Sequence, residues 1–343
     1  MRALEVTEER GLAEAELPDP APGSGEVSIE VAFCGICGSD LHMLPSPAIA
    51  PGTVMGHEFS GRVAAVGDGV ERLSKDARVC VLPMDPCGAC PACLAGNEHL
   101  CVEMPVRGHG LGGRSGAFAE RVLAPAENVF ELPDSVSDEQ GALVEPLSVG
   151  VHAVRLAEAD PEDPVVVLGA GPIGVMTALA LRAQGFERVV VVEPGEPRRE
   201  RIAALGFEAV PLEGVHEATV KRLGSELPAA VLECAGHPSA LGLALELVRP
   251  AGVVVAAGVL EEPVPLNQLL LILKEVRVIG SFAYRREDFA EALELVASGA
   301  IPADELITEV ASLDRAQELF DELRRPGTEQ LKVLLRPGAR QAA

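Results

Sequence analysis

The sequence predicts an α/β protein with two parts, a β-rich, barrel-like part and a doubly wound parallel sheet. From the N-terminus to about residue 145, short Val-rich runs separated by Gly/Pro turns show no helical periodicity, which is typical of strands joined by loops. From Pro164 onward, solid apolar runs alternate with Ala/Leu-rich helical segments. That alternation indicates parallel strands covered by helices on both faces.

The predicted elements follow this division. In the first part, strands are expected at residues 26–33, 61–66 and 78–82. In the second part, strands are expected at Val165–Leu168, Val189–Val192, 230–232, Val253–Ala256 and 276–279, with helices at about 172–184 and at 198–205. Two amphipathic helices, Arg286–Ala297 and 314–323, and a strand at 331–335 complete the chain.

Composition limits the class of protein. The 343 residues, 48% of them hydrophobic, are enough for two domains with buried cores. The net charge of −24 disfavours nucleic acid and membrane surfaces as partners. The N-terminus has no apolar run of the kind found in a signal peptide, and no stretch is apolar for long enough to cross a bilayer. Eight cysteines in such a chain are expected to be metal ligands or core residues in a reducing cytoplasm.

A glycine-rich turn joins the first strand of the second part to its helix. Gly169, Gly171 and Gly174 form a GxGxxG pattern that includes Pro172 and Ile173. The first glycine permits the tight turn, the second lets the backbone approach a pyrophosphate, and the third allows close helix–strand packing. The helix N-terminus provides free N–H groups for the phosphates. The pattern therefore predicts a Rossmann-type dinucleotide site.

Glu193 ends the next predicted strand, at the position of the acidic residue that binds the adenosine ribose hydroxyls. A carboxylate there repels a 2′-phosphate, so the sequence favours NAD over NADP. Arg198 and Arg199 follow closely and could accommodate that phosphate instead, which leaves NADP as an alternative.

Four cysteines, Cys87, Cys90, Cys93 and Cys101, lie within 15 residues of loop sequence. A short loop can bring four thiolates to the corners of a zinc tetrahedron. Since four protein ligands leave no position for substrate, the zinc expected here is structural. An iron–sulfur cluster is the chemical alternative.

Three separate segments contain other candidate ligands. Cys37 lies in a Gly-rich segment, His57 and Glu58 follow a glycine, and Glu145 ends the β-rich part. Each residue alone has an ordinary explanation: a buried thiol, a hydrogen-bonded loop histidine, or a carboxylate at a helix start.

Taken together, these segments resemble the zinc-dependent medium-chain dehydrogenases, and specifically the branch of sorbitol, threonine and butanediol dehydrogenases. The resemblance covers nearly the whole chain and includes the cysteine cluster, the Gly-His-Glu triplet and the segments at 116–120, 279–282, 306–308 and 332–333. It implies a GroES-like β-barrel catalytic domain (1–150 and 284–343) and a Rossmann NAD-binding domain (151–283).

The resemblance also implies a second, catalytic zinc, so that two zinc ions are expected per chain. Its ligands would be Cys37 and His57 with a carboxylate, from either Glu58 or Glu145. Asp40 is expected to orient a ligand. The open coordination position implies oxidation of a secondary alcohol, polyol or cyclitol to the ketone, with hydride transfer to NAD. A primary alcohol substrate is an alternative.

Further roles follow from the resemblance alone. Ser39 would take the proton of the substrate hydroxyl, His42 would form the outer end of a relay, and Glu58 is a further candidate for catalysis. His109 is a candidate residue of the substrate pocket, and the sequence does not decide whether it faces that pocket. The cofactor is expected to contact residues of the glycine-rich turn, the second strand and helix, and the ends of later strands: Gly169, Gly171, Pro172, Ile173, Gly174, Glu193, Arg198, Gly258, Val259, Ser281 and Phe282.

Two other functions are compatible with parts of the sequence. A zinc-free quinone or enoyl reductase would use neither ligand set, and a non-enzymatic NAD-binding protein would not need Cys37, Ser39, His57 and Glu145. A homodimer or homotetramer is expected, because the strand at 276–282 would form an unprotected edge of the cofactor sheet.

Overall fold

A computed structural model describes residues 1–325 and 327–339. By contacts, the chain divides into two compact units, one of Met1–Glu145 with Ala292–Ala343 and one of Pro146–Glu291. The predicted domains, 1–150 with 284–343 and 151–283, stay predictions. No helix among the described residues is long and apolar enough to cross a membrane.

The described residues form strands along the whole chain: β1 (Arg2–Val6), β2 (Leu12–Glu16), β3 (Glu26–Gly35), β4 (Glu58–Val66), β5 (Arg78–Val81), β6 (Arg121–Pro125), β7 (Val129–Glu131), β8 (Val165–Leu168), β9 (Val189–Val192), β10 (Glu208–Val210), β11 (Ala230–Glu233), β12 (Val253–Ala256), β13 (Arg277–Gly280), β14 (Ile307–Ala311) and β15 (Lys332–Leu335).

The helices are α1 (Gly38–Met43), α2 (Pro91–Leu94), α3 (Met104–Arg107), α4 (Asp138–Gly141), α5 (Val144–Ala157), α6 (Pro172–Ala183), α7 (Glu196–Ala204), α8 (Val215–Arg222), α9 (Ala240–Leu247), α10 (Gln268–Lys274), α11 (Arg286–Ala297), α12 (Ala303–Leu306) and α13 (Ala316–Leu323). Short 3-10 helices are formed by Glu98–Leu100, Ala126–Asn128 and Leu313–Arg315.

In the first unit, the central strand β3 has three partners. It pairs with β4 along one edge, whereas β6 and β15 pair with opposite ends of its other edge, all antiparallel. The described sheet has the order β14-β15-β3-β4-β5-β7, with β6 beside β3. Its core is aliphatic, with Ile29, Val63 and Val122 fully buried at paired positions. This arrangement fits the β-rich part that the Val-rich runs predict.

The second unit contains a six-stranded parallel sheet in the order β10-β9-β8-β11-β12-β13. Strands β8, β9 and β11 are buried at every position, as expected for continuous β-branched and aliphatic runs covered on both faces. The order reverses between β8 and β11, and open α/β sheets bind ligands at such a point, beyond the carboxyl ends of the strands.

Several bounds differ from the sequence prediction. Strand β4 begins at Glu58 rather than at residue 61, because Glu58, Phe59 and Ser60 are all buried and pair with β3. Helix α7 begins two residues earlier than predicted, with Gly195 as N-cap and Pro197 in the first turn, where a missing N–H costs nothing. The helix predicted at 314–323 is a 3-10 turn followed by α13.

Candidate functional site

The turn between β3 and α1 positions Cys37. Cys37 is the N-cap residue of α1, and its backbone N–H donates to the Asp40 carboxylate across 2.9 Å. His57 immediately precedes β4 and Glu58 begins it, so the pairing of β3 with β4 brings these residues together. One possible ligand atom from each of Cys37, His57 and Glu58 lies within 4.8 Å of the others.

The buried histidine is oriented by Asp40. Nδ1 of His57 lies 3.5 Å from Oδ1 of Asp40, and neither atom has a hydrogen-bond partner among the described residues. Nε2 of His57 lies 3.3 Å from Oγ of Ser39. Burial lowers the pKa of His57, but the negative charges of Asp40 and Cys37 close to the ring raise it well above its usual value. With Nδ1 protonated toward Asp40, Nε2 keeps a lone pair for a metal ion.

Glu58 is fully buried and paired with a lysine. Nζ of Lys332 lies 2.7 Å from each carboxylate oxygen of Glu58, and Lys332 is only 2% exposed. Burial lowers the pKa of Lys332, yet the charges of Glu58 and Cys37 raise it above its ordinary value overall. Gly35, opposite Glu58 on β3, makes room for this pair, since a Cβ there would collide with the Glu58 carboxylate.

Glu145 lies in the first turn of α5 and is 8% exposed. Its negative charge adds to the raised pKa of Lys332, after the larger effects of Glu58 and Cys37. It is not one of the three residues that converge within 4.8 Å. Ligation of a metal by Glu145 therefore stays a prediction.

The four-cysteine cluster converges as the spacing predicts. One sulfur from each of the four cysteines lies within 4.8 Å of the others, and the Cys90 and Cys93 sulfurs are 3.5 Å apart. The corners of a zinc–thiolate tetrahedron with 2.3 Å bonds are about 3.8 Å apart. The backbone amides of Cys93 and Val102 lower the pKa of Cys90 to about 6, which favours the thiolate that a metal binds. The sulfurs thus fit a tetrahedral metal ion.

The glycine-rich turn lines a cavity of about 290 Å³ in the second unit. Gly169, Gly171, Glu193 and Arg198 are among the residues that line this cavity. Gly169 has φ +95°, which only glycine adopts readily. Pro172 and Ile173 begin α6, whose N-cap is Gly171. This is the backbone geometry that a pyrophosphate requires.

Glu193 is held in place by backbone amides. Its Oε2 accepts from the Ala170 N–H and its Oε1 from the Gly195 N–H, each across 2.8 Å. The carboxylate is 4% exposed. It is therefore held in one orientation at the cavity wall.

The remaining predicted cofactor residues follow later strands. Gly258 and Val259 come after β12, and Ser281 and Phe282 after β13. Val259 and Phe282 are 67% and 61% exposed. These residues are not among those that line the cavity, so their role stays a prediction.

Two further histidines were given candidate roles, and of these His42 is exposed and His109 is buried. Nδ1 of His42 lies 2.7 Å from the Gly38 carbonyl. His109 is 1% exposed, lies edge-on to Phe59, and donates from Nδ1 to the Ser115 carbonyl. Burial lowers the pKa of His109 to about 4. His109 is thus a neutral residue of the interior.

Two family models match this chain. Residues 23–134 match the family model "Alcohol dehydrogenase GroES-like domain", and residues 172–298 match "Zinc-binding dehydrogenase". The 2-dehydro-3-deoxy-L-galactonate 5-dehydrogenase of Pseudoalteromonas atlantica is 36% identical over 85% of this chain and 86% of its own length. The sorbitol dehydrogenase of Bombyx mori is 33% identical over 93% of this chain and 94% of its own.

Solved structures share the fold over 98% of this chain. An Escherichia coli alcohol dehydrogenase in complex with NADH has a TM-score of 0.91, 28% identity and 99% of its own chain covered. A zinc-binding dehydrogenase from Sinorhizobium meliloti bound to NADP has a TM-score of 0.90, 32% identity and 99% coverage. The chain belongs to the zinc-dependent medium-chain dehydrogenase family. It is an oxidoreductase that acts on CH–OH groups, with a GroES-like domain and a Rossmann domain, and the predicted fold class is confirmed.

Two residues of the site had no role assigned from the sequence. The sequence implicates Lys332 only through the resemblance, although a lysine that begins an otherwise apolar strand is a signal of a buried partner. Glu233 was not singled out. It resembles Glu193 in ending a buried parallel strand with a carboxylate, and that position is the signal that could have found it.

Proposed function

We propose that the chain is an NAD-dependent dehydrogenase that oxidises a secondary alcohol, polyol or cyclitol to the ketone. The observation that carries this proposal is the convergence of Cys37, His57 and Glu58 within 4.8 Å in a chain that also contains a glycine-lined dinucleotide cavity. Sulfur, imidazole and carboxylate are the donor set of a catalytic zinc, which keeps one position open for substrate.

Cys37 and His57 would hold the zinc, and Glu58 or Glu145 would provide the carboxylate. What the ion supplies when bound is Lewis-acid polarisation, which makes the substrate hydroxyl more acidic. Asp40 keeps His57 in the tautomer that binds through Nε2, since its Oδ1 faces Nδ1. Lys332 donates hydrogen bonds to both carboxylate oxygens of Glu58, so Glu58 is less available to bind the ion. This favours Glu145 as the ligand in the resting enzyme.

Ser39 and His42 would move the proton that the alcohol loses. The Ser39 hydroxyl lies beside the imidazole that binds the metal, 3.3 Å from Nε2 of His57. His42 is on the same short helix and exposed to solvent. Because its Nδ1 donates to the Gly38 carbonyl, its Nε2 is the acceptor that takes up the proton and exchanges it with water. The nicotinamide ring, when bound, would accept the hydride from the carbinol carbon.

The cofactor would be NAD. The fixed carboxylate of Glu193 at the cavity wall supports this proposal, because it can accept hydrogen bonds from ribose hydroxyls and repels a 2′-phosphate. NADP is the second candidate, since Arg198 lines the same cavity and one similar structure contains NADP.

The substrate class is supported by the relatives, which are named for 2-dehydro-3-deoxy-L-galactonate and for sorbitol. The loop at residues 44–54 is Pro-rich and apolar, and it does not by itself select one alcohol. A primary alcohol stays the alternative substrate.

A homo-oligomer is also proposed. Strand β13 is an edge of the parallel sheet, and no described strand pairs with its outer side. Apolar side chains nearby are exposed, among them Leu269, Ile272 and Leu273 of α10 and Val278 of β13. An uncovered edge with exposed apolar residues favours pairing with a second copy. Light scattering that gave the mass of one 35.8 kDa chain would contradict this.

Metal analysis together with a substrate screen tests the proposal. Two zinc ions per chain and NAD reduction with sorbitol, inositol-type polyols, butanediol or threonine are expected. One zinc without activity would favour a non-enzymatic NAD-binding protein that keeps only the structural ion. A protein without zinc that reduces quinones or enoyl substrates would favour the zinc-free reductase. The four thiolates also require reducing conditions, which supports a cytoplasmic location.

A further inference from the structure

Glu233, the last residue of β11, connects two loops at the carboxyl edge of the parallel sheet. Its side-chain Oε1 accepts from the Ala235 N–H across 2.7 Å and from the Gly236 N–H across 2.8 Å. Its backbone carbonyl accepts from the Ala257 N–H and the Gly258 N–H, both across 2.8 Å. The residue is 5% exposed. One residue therefore satisfies four amides in the loops at 234–236 and 257–259.

The two loops are in direct contact. A Cβ on Gly258 would collide with the Gly236 nitrogen and would lie 2.8 Å from Oε2 of Glu233. A Cβ on Gly236 would lie 2.5 Å from the Val259 carbonyl oxygen. Side chains at either position would push the loops apart, so the contact depends on both glycines.

The loop at 234–236 also touches the glycine-rich turn. A Cβ on Gly169 would lie 3.0 Å from the Ala235 Cα. Since β8, β11 and β12 are neighbours in the sheet, the loops that follow them form one continuous surface. Glu233 is at the centre of this surface, between the Gly169 turn and the loop at 257–259.

The carboxylate of Glu233 accepts hydrogen bonds from backbone N–H groups rather than from a ligand. Two amides share Oε1, and without the carboxylate both would lose the acceptor that fixes the loop at 234–236. A carboxylate is also a poor neighbour for an anionic dinucleotide. Its presence here is explained by the shape that it gives to the loops.

We propose that Glu233 is a positioning residue. It preorganises the loops at 234–236 and 257–259, the second of which forms the binding surface for the nicotinamide half of the cofactor. In a doubly wound sheet, the two halves of a dinucleotide lie on opposite sides of the point where the strand order reverses. Glu193 marks the adenosine side, at the end of β9, and Ala235 in the loop after β11 lines the same cavity as Glu193. The nicotinamide half therefore falls on the side of β12 and its loop at 257–259, which the loop at 234–236 contacts. This inference rests on the proposed use of a nicotinamide dinucleotide.

Binding of NADH and of ADP-ribose to Glu233→Ala tests this role, because ADP-ribose lacks the nicotinamide. We expect the affinity for NADH to fall by about tenfold and that for ADP-ribose to fall less, by about twofold to threefold, since the loop at 257–259 must be ordered again only when the nicotinamide binds. Glu233→Gln keeps an oxygen acceptor in the same place and should retain NADH affinity within about threefold of wild type. The KM for NAD should rise in Glu233→Ala more than kcat falls.

Glu208→Ala is the matched control, because Glu208 is an exposed carboxylate on β10, at the far edge of the same sheet. It should bind both ligands as wild type does. If Glu233→Ala does not fold, Gly258→Ala separates the same loops from the other side and should show the same selective loss.

Equal loss of NADH and ADP-ribose, or unchanged NADH binding in both variants, would overturn the positioning role. Failure of the wild type to bind NADH would instead overturn the proposed function.

Discussion

Lys332 and Glu58 form a buried ion pair that joins the last strand of the first unit to β4. The ammonium lies 2.7 Å from both carboxylate oxygens, and neither side chain is more than 2% exposed. Removing one member of such a pair leaves an uncompensated charge, which costs more than losing both members.

Lys332→Met is therefore expected to lower the free energy of unfolding by about 3–5 kcal/mol. The double variant Lys332→Met/Glu58→Gln should recover a large part of that loss, because it removes both charges. Urea unfolding of the wild type, both single variants and the double variant gives the coupling energy. Additive losses would mean that the two residues do not act as a pair.

Cys37→Ala and His57→Ala should each reduce kcat/KM by roughly a thousandfold or more, because several kcal/mol of charge stabilisation are lost with the ion. Both variants should keep one zinc per chain and normal NADH affinity. Cys80→Ala is the control, since Cys80 is buried in β5 outside both ligand groups. A Cys37 variant with wild-type kinetics would refute the zinc mechanism.

Cys90→Ser should lower the stability of the fold much more than it lowers the catalytic rate. Structural zinc contributes about 10–16 kcal/mol in small zinc peptides, so loss of this ion should lower the thermal midpoint and solubility. We expect one zinc fewer per chain and a kcat close to wild type in the protein that remains folded. A fall in kcat without a fall in stability would mean that the four-cysteine site takes part in catalysis.

Glu193→Ala should shift the ratio of kcat/KM values toward NADP by about tenfold, because the repulsion of a 2′-phosphate is removed. Arg198→Ala is expected to move the ratio in the opposite direction, since Arg198 lines the same cavity. Steady-state kinetics with both cofactors decides. An unchanged ratio in Glu193→Ala would show that this carboxylate does not determine the preference for NAD over NADP.

His109 should make the fold sensitive to acid. Burial lowers its pKa from 6.5 to about 4, so the unfolded chain takes up a proton that the folded chain excludes. The contribution of His109 to the free energy of unfolding is fully present above pH 6.5. It is lost as the pH falls to about 4, a change of about 3 kcal/mol. His109→Asn should flatten the pH dependence of unfolding over this window. His216→Asn, at an exposed position, should leave it as in wild type.

The sequence predicts well what local patterns determine. The Val runs of β8, β9 and β12 have the predicted bounds, because each strand is a continuous apolar stretch. Helix α11 also begins and ends as predicted. The cysteine spacing predicts the convergence of four sulfurs that lie close together in the chain.

Pairings between distant residues could not be predicted in this way. Lys332 and Glu58 are 274 positions apart, and only the pairing of β15 and β4 with β3 brings their strands close. The hydrogen bonds of Glu233 with residues 257 and 258 depend on the parallel pairing of β11 with β12. Such contacts follow from topology, which periodicity and spacing do not determine.

The burial of Lys332 also limits how the protein can be modified. The sequence contains four lysines, Lys75, Lys221, Lys274 and Lys332. Lys274 is engaged with the carbonyls of Leu245, Glu246 and Val248, whereas Lys75 and Lys221 are exposed. Amine-reactive dyes or supports should therefore attach to lysine at two positions, one in each unit, and neither position belongs to the metal sites or the cofactor cavity.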